Sequence, residues 1–518
     1  MNLKTWFKEN YPYLAVLSLL VLVAYINSIN NDFVADDVPG ILKNPEITKA
    51  GYIFSDPLKL VKNILYFTIV KLFGRLPAAF RISNILLHLG NVWLIFFLIS
   101  YLLDRKTALF TASIFAVHPI LTEAVTWISG GQYARYSFFL LLALTLYTIS
   151  DEKRSQSLYW VAIASFVLAL LISEKAMVLP FLLSVLELAG QSLRKNWKRL
   201  IPFFALGGVW TLIFVGKIGQ RIADVQTRYY QPPQTINPLL QIPVAISSYL
   251  KLIFWPKDLT LYHSEMSFSI TEFYLMTAIL IIFLGLVVYA YRKSKPVFFF
   301  LSFFLISLLP VLTPFGISWI VAERYVYLGT IGILAVMAIT FKKLSEKTAH
   351  YLKHDRTDLF YVTLCLIILP LTVRTIVRNQ DWKNQDTLWL AAAKTSPSSP
   401  QNHNNLGDLY GRRGDLERSA KEFQKAIELN PNYADAYHNL GNTYQQMGKI
   451  DEAIASYKKA FELNPELWQS CQNLAAIYFE RQEFELAKEW MEKAIARNPQ
   501  NPNLRYNLEI IKTKLSAP

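Results

Sequence analysis

Two adjacent carboxylates, Asp36 and Asp37, close the run Asn31-Asp32-Phe33-Val34-Ala35-Asp36-Asp37 a few residues beyond the first apolar stretch of the chain. Phe33, Val34, Val38, Ile41 and Leu42 flank them, so the pair is expected to rest at a membrane interface. There a carboxylate loses part of its hydration, its pKa rises and it becomes a better base. By composition alone a generic surface acid pair fits at least as well, and adjacent acids can also hold a divalent ion. Other ionisable residues, His88, Glu174, Lys175 and Glu187, fall within or beside apolar runs. Such residues are costly in lipid unless they are used or paired.

The elements that must position these groups follow from composition. The 518 residues are 53% hydrophobic and 17% charged, with mean hydropathy +0.26, which points to a polytopic membrane protein. The formal charge of +14 could suggest nucleic acid, but from Pro397 onward 15 basic residues face 16 acidic ones. The whole excess therefore lies in the apolar part, as cytoplasmic loops of membrane proteins require, and no nucleic-acid footprint remains. Cys365 sits in an apolar run and Cys471 in the polar tail. They are expected on opposite sides of a membrane boundary, which excludes a disulfide framework.

About eleven apolar runs are long enough to approach the ~30 Å of hydrocarbon in a bilayer. They lie near 12–28, 79–101, 107–127, 133–150, 157–173, 176–190, 200–217, 272–291, 296–313, 324–341 and 358–377. Exposed backbone polarity is not tolerated in lipid, so all are read as helices. The first follows Lys4 and Lys8 without a small-residue cleavage site, so it is expected to be an uncleaved span. Basic clusters at Arg105-Lys106, Arg194 to Arg199, Arg292 to Lys295 and Lys342 to Lys347 mark the cytoplasmic side. That places 28–78, 118–132, 173–175, 313–323 and the polar tail outside. A twelfth candidate at 239–254 carries Gln241, Pro243, Ser247, Ser248 and Lys251 and is expected to stay outside as a re-entrant or surface helix.

The tail is self-similar. Pro397, Pro431, Pro465 and Pro499 recur every 34 residues, the period of a tetratricopeptide repeat. Between them come Leu406-Gly407, Tyr410 and Phe423, then Leu440-Gly441, Tyr444 and Tyr457, then Leu474-Ala475, Tyr478 and Met491. Small residues at Gly407, Gly441, Ala453 and Ala487 let paired helices approach. The expected domains are 1–380, a membrane bundle, and 381–518, an α-solenoid with a half repeat, three full repeats and a capping helix. The fold is thus all-α. Asn405, Asp408, Asn439, Asn442 and Asn473 fall on the first helices of the repeats, on the expected concave face. Amides there can donate to and accept from a peptide backbone; the same residues also suit solvated helix positions.

Several stretches carry a resemblance. They are Asn84-Ile85-Leu86-Leu87-His88, His118-Pro119-Ile120-Leu121-Thr122-Glu123 with Trp127 and Gly130, Ser173-Glu174-Lys175-Ala176, Ala322-Glu323-Arg324-Tyr325, and Arg378-Asn379-Gln380-Asp381-Trp382. With the repeats, the chain resembles the transmembrane and tetratricopeptide-repeat O-mannosyltransferases and their bacterial relatives, whose scaffold is the C-type glycosyltransferase fold. The resemblance implies transfer of a mannose-like monosaccharide from a polyprenyl-phosphate carrier to hydroxyls of protein acceptors, with the repeats recruiting the acceptor. It implies a reaction without a required cofactor or metal, the lipid-linked sugar being the donor. It maps the base onto Asp36 with Asp37 in support, and leads us to nominate Arg324, then Lys175, then Arg135 for the donor phosphate.

His118, Glu123, Glu174 and Glu323 are expected in support. For His118 the residues equally suit a satisfied structural histidine, and no second ligand stands at zinc spacing. For Arg324 they equally suit simple neutralisation by the adjacent Glu323. The chain departs from the pattern where many relatives carry an arginine after the glycine of the loop following His118 to Glu123, since here Gly130 is followed by Gly131. No glycine-rich nucleotide fingerprint occurs, which disfavours a nucleotide-sugar donor. Two alternatives stay open: a membrane-anchored repeat scaffold without catalysis, and a glycosyltransferase acting on lipid or cell-wall glycans. The expected location is a bacterial cytoplasmic membrane with extracytoplasmic chemistry, or else the endoplasmic reticulum membrane with lumenal chemistry.

Overall fold

The computed structural model describes residues 3–228, 238–261, 263, 268–312, 321–352 and 356–516. The expected outer stretch 313–323 falls largely outside the described residues. Helices α1 (Leu3–Tyr25), α2 (Leu60–Phe73), α3 (Pro77–Leu102), α4 (Arg105–Val117), α5 (Thr122–Thr126), α6 (Gln132–Glu152), α7 (Gln156–Ile172) and α8 (Leu179–Ala189) come first. They are followed by α9 (Leu193–Arg228), α10 (Pro238–Phe254), α11 (Ile270–Lys293), α12 (Lys295–Leu308), α13 (Thr330–Leu352) and α14 (Arg356–Asp381). The tail holds α15 (Gln385–Thr395), α16 (Pro400–Arg412), α17 (Leu416–Leu429), α18 (Ala434–Gln446), α19 (Ile450–Leu463), α20 (Trp468–Glu480), α21 (Phe484–Arg497) and α22 (Pro502–Leu515). Among the described residues there is no strand.

The chain divides into two compact units whose main boundary lies between Leu388 and Trp389. Trp382 explains why the first unit continues past the end of α14: it is wholly buried and stacks on Trp127, with ring centroids 5.7 Å apart. In the first unit α3 packs on α4 and α6, α6 on α7, and α4 on α13, while α1 lies against α3, α4 and α14. Phe96, Phe115, Leu144, Phe166, Phe203, Phe304 and Tyr327 fill one continuous core.

Among the described residues, five helical segments are long and apolar enough to cross a membrane: Thr5–Ser28, Pro77–Leu102, Leu193–Gly216, Ile270–Lys293 and Phe360–Asp381. The pair Arg105–Val117 and Pro119–Thr126 passes the same test together and is bent by 54° at its break, the form of a broken span or of a re-entrant loop. α7, α12 and Leu240–Phe254 are apolar but shorter. α11 turns Ile281, Ile282, Val288 and Tyr289 outward, and α14 does the same with Val362, Leu366, Leu369 and Val373. Apolar faces of this extent need a lipid covering.

Two ends of the bundle differ in chemistry. At one end Arg105 pairs with Glu9, and Lys342 reaches Asp104 at 3.0 Å. At the other end meet the segments after α1, before α6 and before α13, which carry the candidate acids. The carbonyl of Ile253 near the end of α10 lies at this second end, 2.9 Å from His118 Nε2. Two ionisable residues inside the bundle are paired, which offsets the cost of burying them: His88 Nδ1 with Tyr327 Oη at 2.7 Å, and Glu187 with Tyr147 Oη at 2.7 Å.

In the second unit, α16 with α17, α18 with α19 and α20 with α21 form helical pairs, closed by α22. A Cβ added to Gly407 would meet the Phe423 ring at 2.6 Å, and one on Gly441 the Tyr457 ring at 2.7 Å. That close approach is why small residues recur at the motif position. The turns inside the first two repeats use Gly414 and Gly448 at φ +79° and +74°, where a side chain is disfavoured. Asn402 ties the half repeat to the first full one, donating to the carbonyls of Ala392 and Ser396.

Candidate active site

The segment between α1 and α2 is built of short turns, and Ala35 takes φ +48°. A residue with a side chain in this left-handed region marks local strain. The turn sends its two acids to different places. Asp36 is exposed, whereas Asp37 is wholly buried.

Asp37 accepts from the backbone N–H of Ser129 at 2.9 Å, from the Ser129 hydroxyl, and from the N–H of Val34 at 3.4 Å. It thereby ties the acid turn to the loop before α6. Burial pushes its carboxyl up to about 6, opposed by the Ser129 and Val34 hydrogen bonds and by the charge of Arg81. Asp36 is also raised from the ordinary carboxylate value by local desolvation, with the positive charge of Arg324 opposing. An accessible carboxylate with raised basicity facing a guanidinium is suited to accept a proton close to where negative charge must be held.

Arg324 stands on a single 3-10 turn, Glu323–Val326. Adjacency suggested that Glu323 neutralises it, and the structure corrects this. The turn directs the two side chains apart: Arg324 Nη1 pairs with Glu123, whose other oxygen accepts the Arg324 backbone N–H at 2.8 Å. Glu323 goes instead to Arg378 Nη2 at 3.2 Å, and Arg378 also holds Asp381 at 2.8 Å. Both glutamates are fully buried, while the Arg324 side chain keeps 13% of its surface open. Its guanidinium lies over Tyr325 at 4.9 Å and Trp127 at 5.5 Å from the ring centroids.

Lys175 is 2.8 Å from Glu174 and 5.4 Å from the centroid of Tyr133. Tyr133 and Tyr325 pack together with centroids 5.9 Å apart, so Arg324 and Lys175 share one aromatic wall. Arg135 is placed differently. It is buried beneath Ile128 beside Tyr66 and Asn84, all at 3.3–3.4 Å from Nη2. Gly131 explains the departure in this loop, because an added Cβ would stand 2.0 Å from Asn84 Oδ1. No side chain fits there.

His118 is buried and satisfied. Its Nδ1 accepts the N–H of Ile120 at 3.2 Å, leaving Nε2–H to donate to Ile253 O, an arrangement that calls for the neutral ring. On the repeats, Asn439 donates to Asn404 at 3.1 Å and Asn473 to Asn442 at 2.9 Å, while Asp408 pairs with Arg412 at 3.0 Å. Asn405, like Asn439, Asn442 and Asn473, is half-buried. Among the described residues no three His, Cys, Asp or Glu side chains converge as metal ligands.

A family model described as dolichyl-phosphate-mannose-protein mannosyltransferase matches residues 61–216. Tetratricopeptide-repeat models match 407–448, 434–467 and 469–501. The human protein O-mannosyl-transferase TMTC3 is 27% identical over 487 residues, covering 81% of this chain and 52% of that protein. The chain is similar to the transmembrane and tetratricopeptide-repeat O-mannosyltransferases.

Two further relatives of this kind are the Caenorhabditis elegans protein O-mannosyl-transferase F38B6.6 and human TMTC4, each 25% identical. They cover 80% and 77% of this chain, and 62% and 64% of their own lengths. The chain thus spans between about half and just under two thirds of the length of these three relatives. The mannosyltransferase match includes Glu123, Ser129, Arg135 and Lys175, whereas Asp36, Arg324 and Arg378 lie outside it. The acids and cations that meet at the site therefore come from both inside and outside the matched segment.

Proposed function

We propose that this protein is an integral-membrane glycosyltransferase that moves a mannose-like sugar from a polyprenyl-phosphate carrier to hydroxyl groups of proteins. The observation that carries the reading is the exposed Asp36 within electrostatic reach of Arg324, at the end of the bundle opposite Arg105 and Lys342. In the proposed step the acceptor oxygen attacks the anomeric carbon as Asp36 takes its proton. The bond from that carbon to the phosphate oxygen breaks, and its electron pair stays on the lipid phosphate. Arg324 and Lys175 hold the charge that develops there. Asp37 keeps the acid turn in place.

The similarity to named protein O-mannosyl-transferases supports protein as acceptor, and the repeat array is assigned the recruitment of that acceptor. Half-buried amides at Asn405, Asn439, Asn442 and Asn473 are suited to a peptide backbone. Catalysis is assigned to the extracytoplasmic side, because Arg105 and Lys342 cluster at the far end of the bundle and such clusters stay in the cytoplasm. The assigned location is a bacterial cytoplasmic membrane, with the endoplasmic reticulum membrane and lumenal chemistry as the alternative.

The test is release of lipid phosphate by the purified protein in nanodiscs supplied with polyprenyl-phosphate mannose or polyprenyl-phosphate glucose. Wild type is expected to release it and Asp36→Asn to lose activity by about 10²–10⁴-fold, the range for a general base. Undiminished turnover by Asp36→Asn removes Asp36 from the mechanism. Folded wild type that releases nothing from either donor counts against the enzyme reading.

A further inference from the structure

Arg81 and Asn379 have been given no part in the chemistry above, yet each is fully buried and each bonds both to Thr126 and to the chain between the end of α1 and the acid turn. Arg81 stands in the first turns of α3. Its Nε donates to the carbonyl of Thr126 at 2.9 Å, Nη1 to those of Ile29 (3.3 Å) and Asn31, and Nη2 to that of Asp32 at 2.7 Å. Buried charge is costly, and here four backbone carbonyls compensate it together with the negative charges of Asp37 and Asp32. Three of the carbonyls belong to the non-helical chain leading into the acid turn, where no ladder partner exists for them.

Asn379, near the end of α14, completes the arrangement. Its Nδ2 donates to Ala24 O at 2.8 Å and to Asn27 Oδ1 at 2.7 Å, and its Oδ1 accepts the Thr126 hydroxyl at 2.7 Å. Its backbone carbonyl accepts Asn31 Nδ2 at 2.9 Å, and the Asp32 N–H reaches Lys383 O at 2.8 Å. Thr126 and Asn31 are thus each engaged by both Arg81 and Asn379. The segment is held from α3 on one side and from the end of α14 on the other, with Asp37 bonded to Ser129 beyond it.

We infer that Arg81 and Asn379 form a two-sided clamp whose function is to position Asp36, by fixing the backbone from Ile29 to Asp32 against Thr126. They are positioning residues and touch no reacting atom. The inference rests on the reading of Asp36 as the base. A guanidinium suits the place because Nε, Nη1 and Nη2 donate from three separate points to acceptors on two sides, whereas the three donors of a lysine share one nitrogen. An apolar residue in place of Arg81 would leave the carbonyls of Ile29, Asn31 and Asp32 without these donors, and one in place of Asn379 would release Ala24 O, the Asn27 side chain and the Thr126 hydroxyl, so each holds the path of the chain before the acid turn.

The test uses the full-length protein in nanodiscs with Arg81→Lys, and with Thr126→Val as a shape-conserving second variant that deletes only the hydroxyl bond to Asn379. Hydrogen exchange is followed at the amides of residues 29–40, with those of α4 and α6 as internal reference. The clamp predicts exchange at least about tenfold faster over 29–40 in Arg81→Lys, a smaller rise in Thr126→Val, and unchanged reference helices. It also predicts that kcat falls on the order of 10²-fold in Arg81→Lys while the donor KM stays within about threefold.

The acid limb of the pH–rate profile is expected to move to lower pH, because a loosened turn rehydrates Asp36. A loss of folded protein would lower the amplitude without moving the limb. Unchanged exchange over 29–40 in both folded variants overturns the clamp. Wild type that releases no lipid phosphate would sink the reading of Asp36 as base, and the exchange result would still uphold or overturn the clamp by itself.

Discussion

An arginine–carboxylate pair stands in each unit. Arg324 and Glu123 meet with 13% and 0% of their side chains exposed. Arg412 and Asp408 meet one helical turn apart with 48% and 58% exposed. The chemistry is shared and the surroundings are opposite. In the bundle each charge has left water and depends on its partner, so position is dictated by neighbours distant in sequence. On the array each charge keeps its water, and the repeat period alone decides where it lies.

This contrast is sharpest for Glu123→Gln. The amide preserves size and can still accept the Arg324 N–H, but it leaves the arginine charge uncompensated in a buried site. The expected loss of stability is about 3–5 kcal/mol, the range for breaking a buried pair, read as denaturant or thermal resistance in nanodiscs. A change below about 1 kcal/mol would place this pair with the surface pairs of the array and erase the comparison.

Next in size is the pH dependence carried by Asp37. Its folded pKa of about 6 is above the ordinary value, so the folded state holds the proton more tightly than the unfolded chain. Stability from this group is therefore complete below about pH 4 and is lost as pH rises through about 6. The difference is on the order of 3 kcal/mol. Asp37→Asn should flatten that part of the pH–stability curve while the remainder persists. An unaltered decline between pH 4 and 6.5 would show that another group titrates there.

These effects follow from how differently the two units were legible. The array could be read from Pro397, Pro431, Pro465 and Pro499 and from the small residues facing aromatics, because periodic packing writes itself into periodic sequence. Asp36 and Asp37 were visible as acids, but the exposure of one and burial of the other depend on the turn at Ala35. The partner of Arg324 was not visible: adjacency favoured Glu323, and the 3-10 turn sends that residue to Arg378. The role of Arg81 was not visible because its partners are backbone carbonyls, which carry no residue identity, and that of Asn379, although it lies in the Arg378 to Trp382 stretch, because its partners Ala24, Asn27 and Thr126 are distant in sequence. A signal was still present, since an arginine at the start of an apolar span and an asparagine at the end of another are costly places for polar groups.

In the array the corresponding large effect should come from shape. Gly441→Val would drive a branched side chain into the Tyr457 ring, which an added Cβ already meets at 2.7 Å. Overpacking of this kind costs about 1–3 kcal/mol. Because stability in such arrays is a sum of repeat and neighbour terms, the loss should appear as unfolding of the central repeat, with sugar transfer to a small acceptor spared. Equal loss of small-acceptor and protein-acceptor transfer would mean that the array is needed for the bundle to work.

The smallest effect is expected for Arg412→Ala, and it completes the comparison with Glu123→Gln. Both substitutions remove one partner of an arginine–carboxylate contact at hydrogen-bonding distance. Asp408, however, retains solvent on more than half of its side chain, so water replaces the lost guanidinium. The stability change should stay within about 0.5 kcal/mol, and the little that is lost should vanish in high salt, because exposed charges are screened over about 10 Å at 0.1 M. A loss of several kcal/mol would require Asp408 to be desolvated in the folded array, as it would be if repeats from another copy or a bound segment covered this face.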